Sequence, residues 1–417
     1  MTGVQTCALP IFRYFERCVD KYALAPSIRF DTEIAGAVFD EREGIWRLRT
    51  TEGEEIEAHV LVSGTGQLNR PAMPDIDGLA SFGGAMCHSA RWDESHDLGG
   101  EKVAVIGSGA SAVQIIPQLA LQVSHLTCFQ RSPSYVIPRK DRAYTALEKW
   151  VFRHLPFVLW LYRSAIYLSL EMRFVALLSD TWPNDVFRWV ALRNLQKEVA
   201  DPELASKLTP SDPPGCKRLL ISDEYYQALV KPHVELVTTP IARVTRDAIV
   251  TKDGVSHPVS TIVLATGFET TTFLAPMEIV GRAGVRLADA WKDGAEAHYG
   301  VVVAGFPSLF LMYGPNTNLG HNSIIFMIEC QVTYAIGCIE ELVRRSARFV
   351  DVRPEAMARF NAELVRDLSH TTWASGCHSW YKTATGKITN NWSGFTIAYW
   401  WRTREPRFDE FEWADSR

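Results

Sequence analysis

The sequence predicts an α/β fold of two nested units, the second inserted into the first and carrying a helical insertion of its own. Three observations support this. A short apolar run, Lys102 to Ile106, leads directly into Gly107-Ser108-Gly109-Ala110-Ser111-Ala112 and the amphipathic stretch SAVQIIPQLA, which reads as strand, glycine turn and helix. Two other apolar runs end alike, in Ser63-Gly64-Thr65-Gly66 before that unit and in Ala265-Thr266-Gly267-Phe268 after it. Finally, 417 residues with 47% hydrophobic and 22% charged content suit two or three globular domains at roughly 100–200 residues each.

Residues 1–11, MTGVQTCALPI, lack the basic head, long apolar region and small-residue cleavage site of a secretory signal. They resemble translated read-through from a sequencing adapter and are expected to be a non-native leader, with the true start missing. From Phe12, FRYFERCVDKYAL reads as the end of a helix, and Ser27 to Phe30 as a strand. IAGAVFD, IWRLRTT and EEIEAHVLVSG then alternate as a small antiparallel meander closing on a buried strand. Residues 12–70 are therefore expected to be part of the outer unit, without its beginning. Gly64 and Gly66 permit close approach of a ligand to the backbone. Residues 71–101, rich in Pro, Gly and Asp, read as a linker.

The inserted unit spans 102–267. Gly107 permits the tight turn, Gly109 lets the backbone approach a pyrophosphate, and Ala112 lets the helix pack close to its strand. Free N–H groups at the helix start attract phosphate. This is the pattern of a Rossmann-like, dinucleotide-binding domain. After the second strand, HLTCFQ, the sequence has Gln130-Arg131 where an acid would select NAD, so the expected cofactor is NADPH.

Within this unit, residues 141–205 are aromatic-rich and glycine-poor. FVLWLY and AIYLSL are interrupted by Arg153, His154, Arg163, Glu171 and Arg173, so no run reaches the roughly 18 apolar residues of a spanning helix. Helices packed on the nucleotide unit are the preferred reading, with peripheral membrane contact as the alternative. PPGCKRLLISDEYYQAL then reads as a loop and helix, followed by a second meander, VELVTTPIARV, AIVTKDG and STIVLATGF. Residues 268–417 return to the outer unit and close it. SLFLMYGPNTNLGHNS is a strand and turn, Ser323 caps the helix IIFMIECQVTYAIGCIEELVRR, and the tail is rich in tryptophan.

A net charge of -5 and a pI near 6.1 give no reason to expect nucleic acid or an anionic membrane as partner. The eight cysteines form no CxxC pair, which suggests neither zinc nor a disulfide framework and favours a reducing cytoplasm. The histidines show no metal-ligand spacing.

The pattern F-x-G-x-x-x-H-x-x-x-W-[P/D] is present as Phe82, Gly84, His88, Trp92 and Asp93. With it the chain resembles the Baeyer-Villiger monooxygenases, class B flavin-dependent enzymes. The resemblance runs from 12 to 415 and includes Gln130-Arg131-Ser132-Pro133, Gly215-Cys216-Lys217-Arg218, Ala265-Thr266-Gly267-Phe268 and Trp380-Tyr381. Trp92-Asp93 favours this branch over the N- and S-oxidising flavin monooxygenases. The family's first glycine loop, for the FAD pyrophosphate, and an early aspartate that orients the catalytic arginine have no match after Phe12.

The resemblance implies FAD and NADPH as cofactors. It implies oxygen insertion beside a ketone, through a flavin peroxide, to give an ester or lactone. It makes Arg218 the cation that holds the anionic oxidant in a dry site, and Lys217 the partner of Arg131 at the NADPH 2′-phosphate. His88 and Trp92 couple domain rotation to catalysis or serve as wedges between domains. Trp380 contacts the nicotinamide cofactor or fills a C-terminal core. The turn Gly314–Asn318, with Asn316, aims the following helix at the flavin or is a plain junction. Gly64, Thr65, Gly66, Thr266 and Gly267 are cofactor-contacting strand ends. Two other functions stay open: oxidation of N or S centres, and a non-catalytic fragment that binds NADPH without FAD. The sequence identifies neither the ketone nor the oligomeric state.

Overall fold

The computed structural model describes residues 2–139, 141–179, 181–377 and 379–415, the side chains of 2–10 excepted. Its centre is a five-stranded, all-parallel sheet in the order Val234–Val237, His125–Phe129, Lys102–Ile106, Thr261–Leu264, Ala85–His88. Val103, Ala104 and Val105 are fully buried, as near-continuous apolar strands must be when both faces of a parallel sheet are covered. One face packs Ala112, Val113 and Ile116 of the helix Ala110–Leu119 with Leu126, Tyr225 and Leu229. The other packs Ile262 against Leu79, Val259 and, from the antiparallel sheet Ile241–Val244, Ala248–Thr251, Ser256–Pro258, Val244 and Ile249.

The stretch read as a linker contributes the edge strand Ala85–His88. Gly84 explains why it can lie there: a Cβ at this position would fall 2.1 Å from the Ser260 carbonyl oxygen and 2.8 Å from the Phe82 ring. The glycine and phenylalanine of the fingerprint are thus one packing unit.

The outer unit holds a four-stranded sheet, Glu278–Val280, Ile34–Asp40, Ile45–Thr50, Glu55–Ala58, and the parallel pair Leu61–Ser63 with Leu309–Leu311. Alternation in Ile45–Thr50 buries Trp46 and Leu48 and leaves Arg49 exposed. Trp46 Nε1 donates to the Pro307 carbonyl at 2.8 Å. No strand forms at Ser27 to Phe30. A 3-10 turn covers Ala25–Ser27, and Phe30 is 75% exposed. Apolar residues alone do not make a strand without a neighbour to take up backbone N–H and C=O groups. The preceding helix runs as one piece from Thr2 to Lys21.

The long helix Ile324–Arg344 begins at Ser323, whose hydroxyl accepts from the Phe326 N–H at 3.3 Å. Its buried side, with Met327, Tyr334 and Cys338, joins Phe360, Trp373, Tyr381, Trp392 and Tyr399 in the largest core.

Residues 146–208 are helical throughout most of their length: Ala146–His154, Pro156–Glu171, Met172–Leu177, Trp182–Glu198 and Pro202–Leu208. Only the later part meets the expectation of packing on the nucleotide unit, through Leu195, Val199 and Leu208. The first two helices bury no residue before Glu171. No helix among the described residues is long and apolar enough to cross a membrane. The cysteine reading is also corrected. Cys216 and Cys377 form a disulfide with Cα atoms 6.4 Å apart at a sequence separation of 161, a pairing that only the tertiary fold creates.

Candidate active site

The nucleotide side of the site is built on the turn after Lys102–Ile106. Gly107 has φ +129°, and a Cβ there would lie 2.2 Å from the Ala265 carbonyl oxygen, so the turn is wedged between two strand ends. Gly109 begins the helix without a side-chain cap, and a Cβ on it would meet nothing within 4 Å. The first N–H groups of a helix without a side-chain cap, beside the open space at Gly109, form an arrangement that takes a phosphate. Ser108 Oγ donates to the Ser132 carbonyl at 2.8 Å, and Lys217 Nζ donates to Ser132 Oγ at 2.9 Å. Lys217 also pairs with Asp212 at 2.6 Å. Arg131 is exposed and has no partner among the described residues. The glycine turn, Arg131 and Lys217 therefore meet at one place, and their donors fit a dinucleotide with an additional phosphate.

Gln130 does not join them. Its side chain is buried and donates to the Lys207 carbonyl at 3.0 Å, fastening the end of the helical insertion to the sheet.

A second cleft, of about 210 Å³, lies between the other strand end and the turn that follows Leu309–Leu311, lined by Ser63, Thr65, Gly66, Leu311, Met312 and Tyr313. Added Cβ atoms at Gly64 and Gly66 would meet nothing within 4 Å. Beside it, Gln67 is 4% exposed, and neither amide atom has a hydrogen-bond partner among the described residues, although it faces the Tyr313 hydroxyl. An unpaired buried amide is costly and points to a polar ligand on this side. The residues present thus fit the polar edge of a flavin. Gln67 is the residue that sequence reasoning missed: its spacing marks it as the residue after Gly66, but only its burial marks it as unpaired.

Lys217 and Arg218 are neighbours with different surroundings. Lys217 is held on the nucleotide side. Arg218 is exposed, not enclosed as expected, and its charge acts on Tyr313 and Tyr381. Burial raises the pKa of Tyr313, opposed by Gln67 and by Arg218, and burial raises that of Tyr381, again opposed by Arg218. The adjacent disulfide from Cys216 to Cys377 ties this loop to the segment that carries Trp380.

His88 ends the edge strand and is 5% exposed. Its Nδ1 accepts from the Ala90 N–H at 3.1 Å, its ring stands edge-on to Phe268 at 5.8 Å, and Nε2 has no hydrogen-bond partner among the described residues. Burial lowers its pKa, with the Gly267 backbone opposing. Trp92 packs against the nucleotide-unit core, and Asp93 turns the chain by accepting from the Ser95 N–H at 2.9 Å. Thr266 Oγ1 donates to the Ala72 carbonyl at 2.6 Å, and Gly267 O accepts from the Ala72 N–H at 2.9 Å. This strand end is stitched to the chain of 71–72.

Asn316, at φ 57°, is buried. Its amide donates to the carbonyls of Ile388 and Asn391 at 2.9 and 3.1 Å. It clamps the C-terminal segment. Trp380 is partly buried against the large core, and its carbonyl accepts from Thr270 and Asn390.

Residues 9–279 match the profile of the flavin-binding monooxygenase-like family. A Baeyer-Villiger monooxygenase of Pseudomonas aeruginosa is 39% identical over 396 residues, covering 94% of this chain and 74% of that protein. The chain belongs to the Baeyer-Villiger monooxygenases. A Streptomyces coelicolor member is 39% identical over 403 residues, covering 96% of this chain and 77% of that one. Among solved structures, an oxidized steroid monooxygenase bound to NADP superimposes with a TM-score of 0.85 at 31% identity, covering 98% of this chain and 85% of that chain. Cyclohexanone monooxygenase from Rhodococcus sp. Phi1 bound to NADP+ gives a TM-score of 0.87 at 27% identity, covering 97% and 84%. The place of this Baeyer-Villiger monooxygenase in the family agrees with its two open glycine-lined sites, at Gly109 and at Gly64 and Gly66.

Proposed function

We propose that this protein is an NADPH- and FAD-dependent monooxygenase that converts ketones to esters or lactones with O2. The observation that carries this reading is the division of labour within Lys217-Arg218. Lys217 meets Ser132 beside the nucleotide turn, whereas its neighbour Arg218 is exposed and lies toward Tyr313 of the second cleft. When bound, FAD supplies hydride acceptance from NADPH and the activation of oxygen. The protein's own residues do the rest. Gly107, Gly109 and the helix start hold the NADPH pyrophosphate, while Arg131 and Lys217 hold its additional phosphate. Gln67 orients the flavin edge. Arg218 supplies a guanidinium to hold negative charge beside that edge.

A cleft of about 460 Å³, lined by Ile137, Leu177, Phe187, Leu219 and Ile221 with Arg173, begins one residue beyond Arg218. Its lining supports an apolar ketone as the substrate class.

The test is Arg218→Ala. Anaerobic bleaching of the flavin by NADPH should persist, because Lys217 and the glycine turn remain. Ester formation should fall by roughly a hundredfold or more, the usual loss on removing a group that stabilises transition-state charge. Ester formation within a factor of about three of the parent would remove Arg218 from the reaction. Faster turnover of a sulfide than of any ketone by the parent enzyme would favour heteroatom oxidation instead.

A further inference from the structure

The helix pair Ala146–His154 and Pro156–Glu171 projects from the molecule with its apolar side chains in the open. Leu147 is 70% exposed, Trp150 56%, Phe157 62%, Trp160 64%, Leu161 54% and Leu168 60%. In the second helix the exposed apolar positions 157, 159, 160, 161, 162, 166 and 168 lie around most of the circumference, not along one stripe. A surface helix ordinarily has one apolar face and one polar face. This one has neither a buried face nor a polar one, so its natural surroundings are apolar on several sides.

The pair is nonetheless a built element. Thr145 and Glu148 form a capping box, Arg142 bonds Glu148 at 2.6 Å, and Tyr144, Phe152 and Tyr162 pack together at ring separations of 5.2 to 6.2 Å. Its base is anchored by the buried Glu171, which accepts from Asn322 at 2.7 Å, Thr396 at 2.8 Å and the Ile397 N–H at 3.0 Å. A stiff, anchored projection of apolar surface is not a by-product of loose packing.

We propose that this hairpin docks on an anionic lipid bilayer, lying in the interface without crossing it. A second copy of the chain would cover one side of the hairpin, whereas the interface of a bilayer offers acyl chains to its apolar positions and phosphates to its cations. Charge agrees with this choice. Residues 149–173 carry Lys149, Arg153, Arg163 and Arg173, all exposed and without an ion-pair partner among the described residues, against the single buried acid Glu171. The net charge of -5 for the chain conceals this local excess of cations, which long side chains can direct to lipid phosphates while tryptophans settle at the headgroup level. At 16 residues the second helix is about 24 Å long, short of the roughly 30 Å hydrocarbon core. The chain runs from this helix straight into Arg173, Ala176 and Leu177, which line the 460 Å³ cleft, so the docked hairpin brings that cleft to the membrane, where apolar molecules partition. The docking itself does not depend on which reaction the enzyme performs.

The experiment is flotation of the full chain with vesicles of phosphatidylglycerol and phosphatidylcholine, read as bound fraction against lipid concentration. The expected result is binding that weakens at high salt, falls roughly tenfold or more in Trp160→Glu, and is unchanged in Leu121→Glu, an exposed apolar position on the nucleotide unit. Circular dichroism of both variants checks folding, which exposed positions should not disturb. Parent protein that stays with the soluble fraction, or equal loss in both variants, overturns the proposal. So does a dimer in solution that Trp160→Glu converts to monomer without any vesicle binding by the parent.

Discussion

The two strand ends that look alike in sequence, Ser63-Gly64-Thr65-Gly66 and Ala265-Thr266-Gly267-Phe268, have opposite surroundings. The first is open: Gly64 and Gly66 face empty space, and the nearby Gln67 has no hydrogen-bond partner among the described residues. The second is closed. The Ala265 carbonyl is pressed against Gly107, Thr266 and Gly267 bond Ala72, and Phe268 meets His88. A shared motif therefore marks where a parallel strand delivers the chain to a ligand crevice, but it does not say whether the glycines leave room for a ligand or let two backbones touch.

The sharpest test of that contrast is a pair of alanine substitutions. Gly107→Ala combines a positive φ with a close backbone approach and should destabilise the fold by about 3 kcal/mol or more. Gly64→Ala meets no neighbour and should change stability by no more than about 1 kcal/mol, in the stabilising direction, while lowering flavin content. Thermal melts compare the two directly, and equal losses would mean that the ends are alike after all.

A smaller effect is expected at Gln67. Replacing it with Leu removes two unpaired buried polar atoms, so the flavin-free protein should gain about 1 kcal/mol. The same change should weaken FAD retention through desalting. Lost stability without lost flavin would show that Gln67 has a partner within the protein.

The smallest effect concerns acid. His88, at the closed end, has its pKa lowered from 6.5 by burial, so the folded state favours neutral imidazole while the unfolded chain accepts a proton. Stability from this group is complete above pH 6.5 and declines as pH falls below it. A melting series from pH 7.5 downward should show a shallower decline in His88→Gln than in the parent, and identical slopes would mean that His88 protonates freely in the native state.

Much of this was legible in the sequence because the signals are local. Lys102 to Ala112 specify strand, turn and helix by apolar runs and glycines a few residues apart, Ser323 marks its helix start, and the Phe82–Asp93 pattern identified the family. Ser27 to Phe30 was misread because a strand depends on a partner elsewhere in the chain. Gln130 and Asn316 sat at expected cofactor positions, yet carbonyls 77 and 72 residues away took their amides.

What the sequence determined by itself was the nested α/β plan, the glycine turn after Lys102–Ile106 and the adjacent pair of cations Lys217-Arg218. The tertiary structure alone decided that Cys216 meets Cys377, that Gln67 has no hydrogen-bond partner among the described residues, that Lys217 is held by Ser132 and Asp212 while Arg218 stands exposed, and that the apolar hairpin stands in the open. Spacing along a chain controls which backbone forms, whereas burial and partnership depend on residues that only the completed fold brings within a few ångströms.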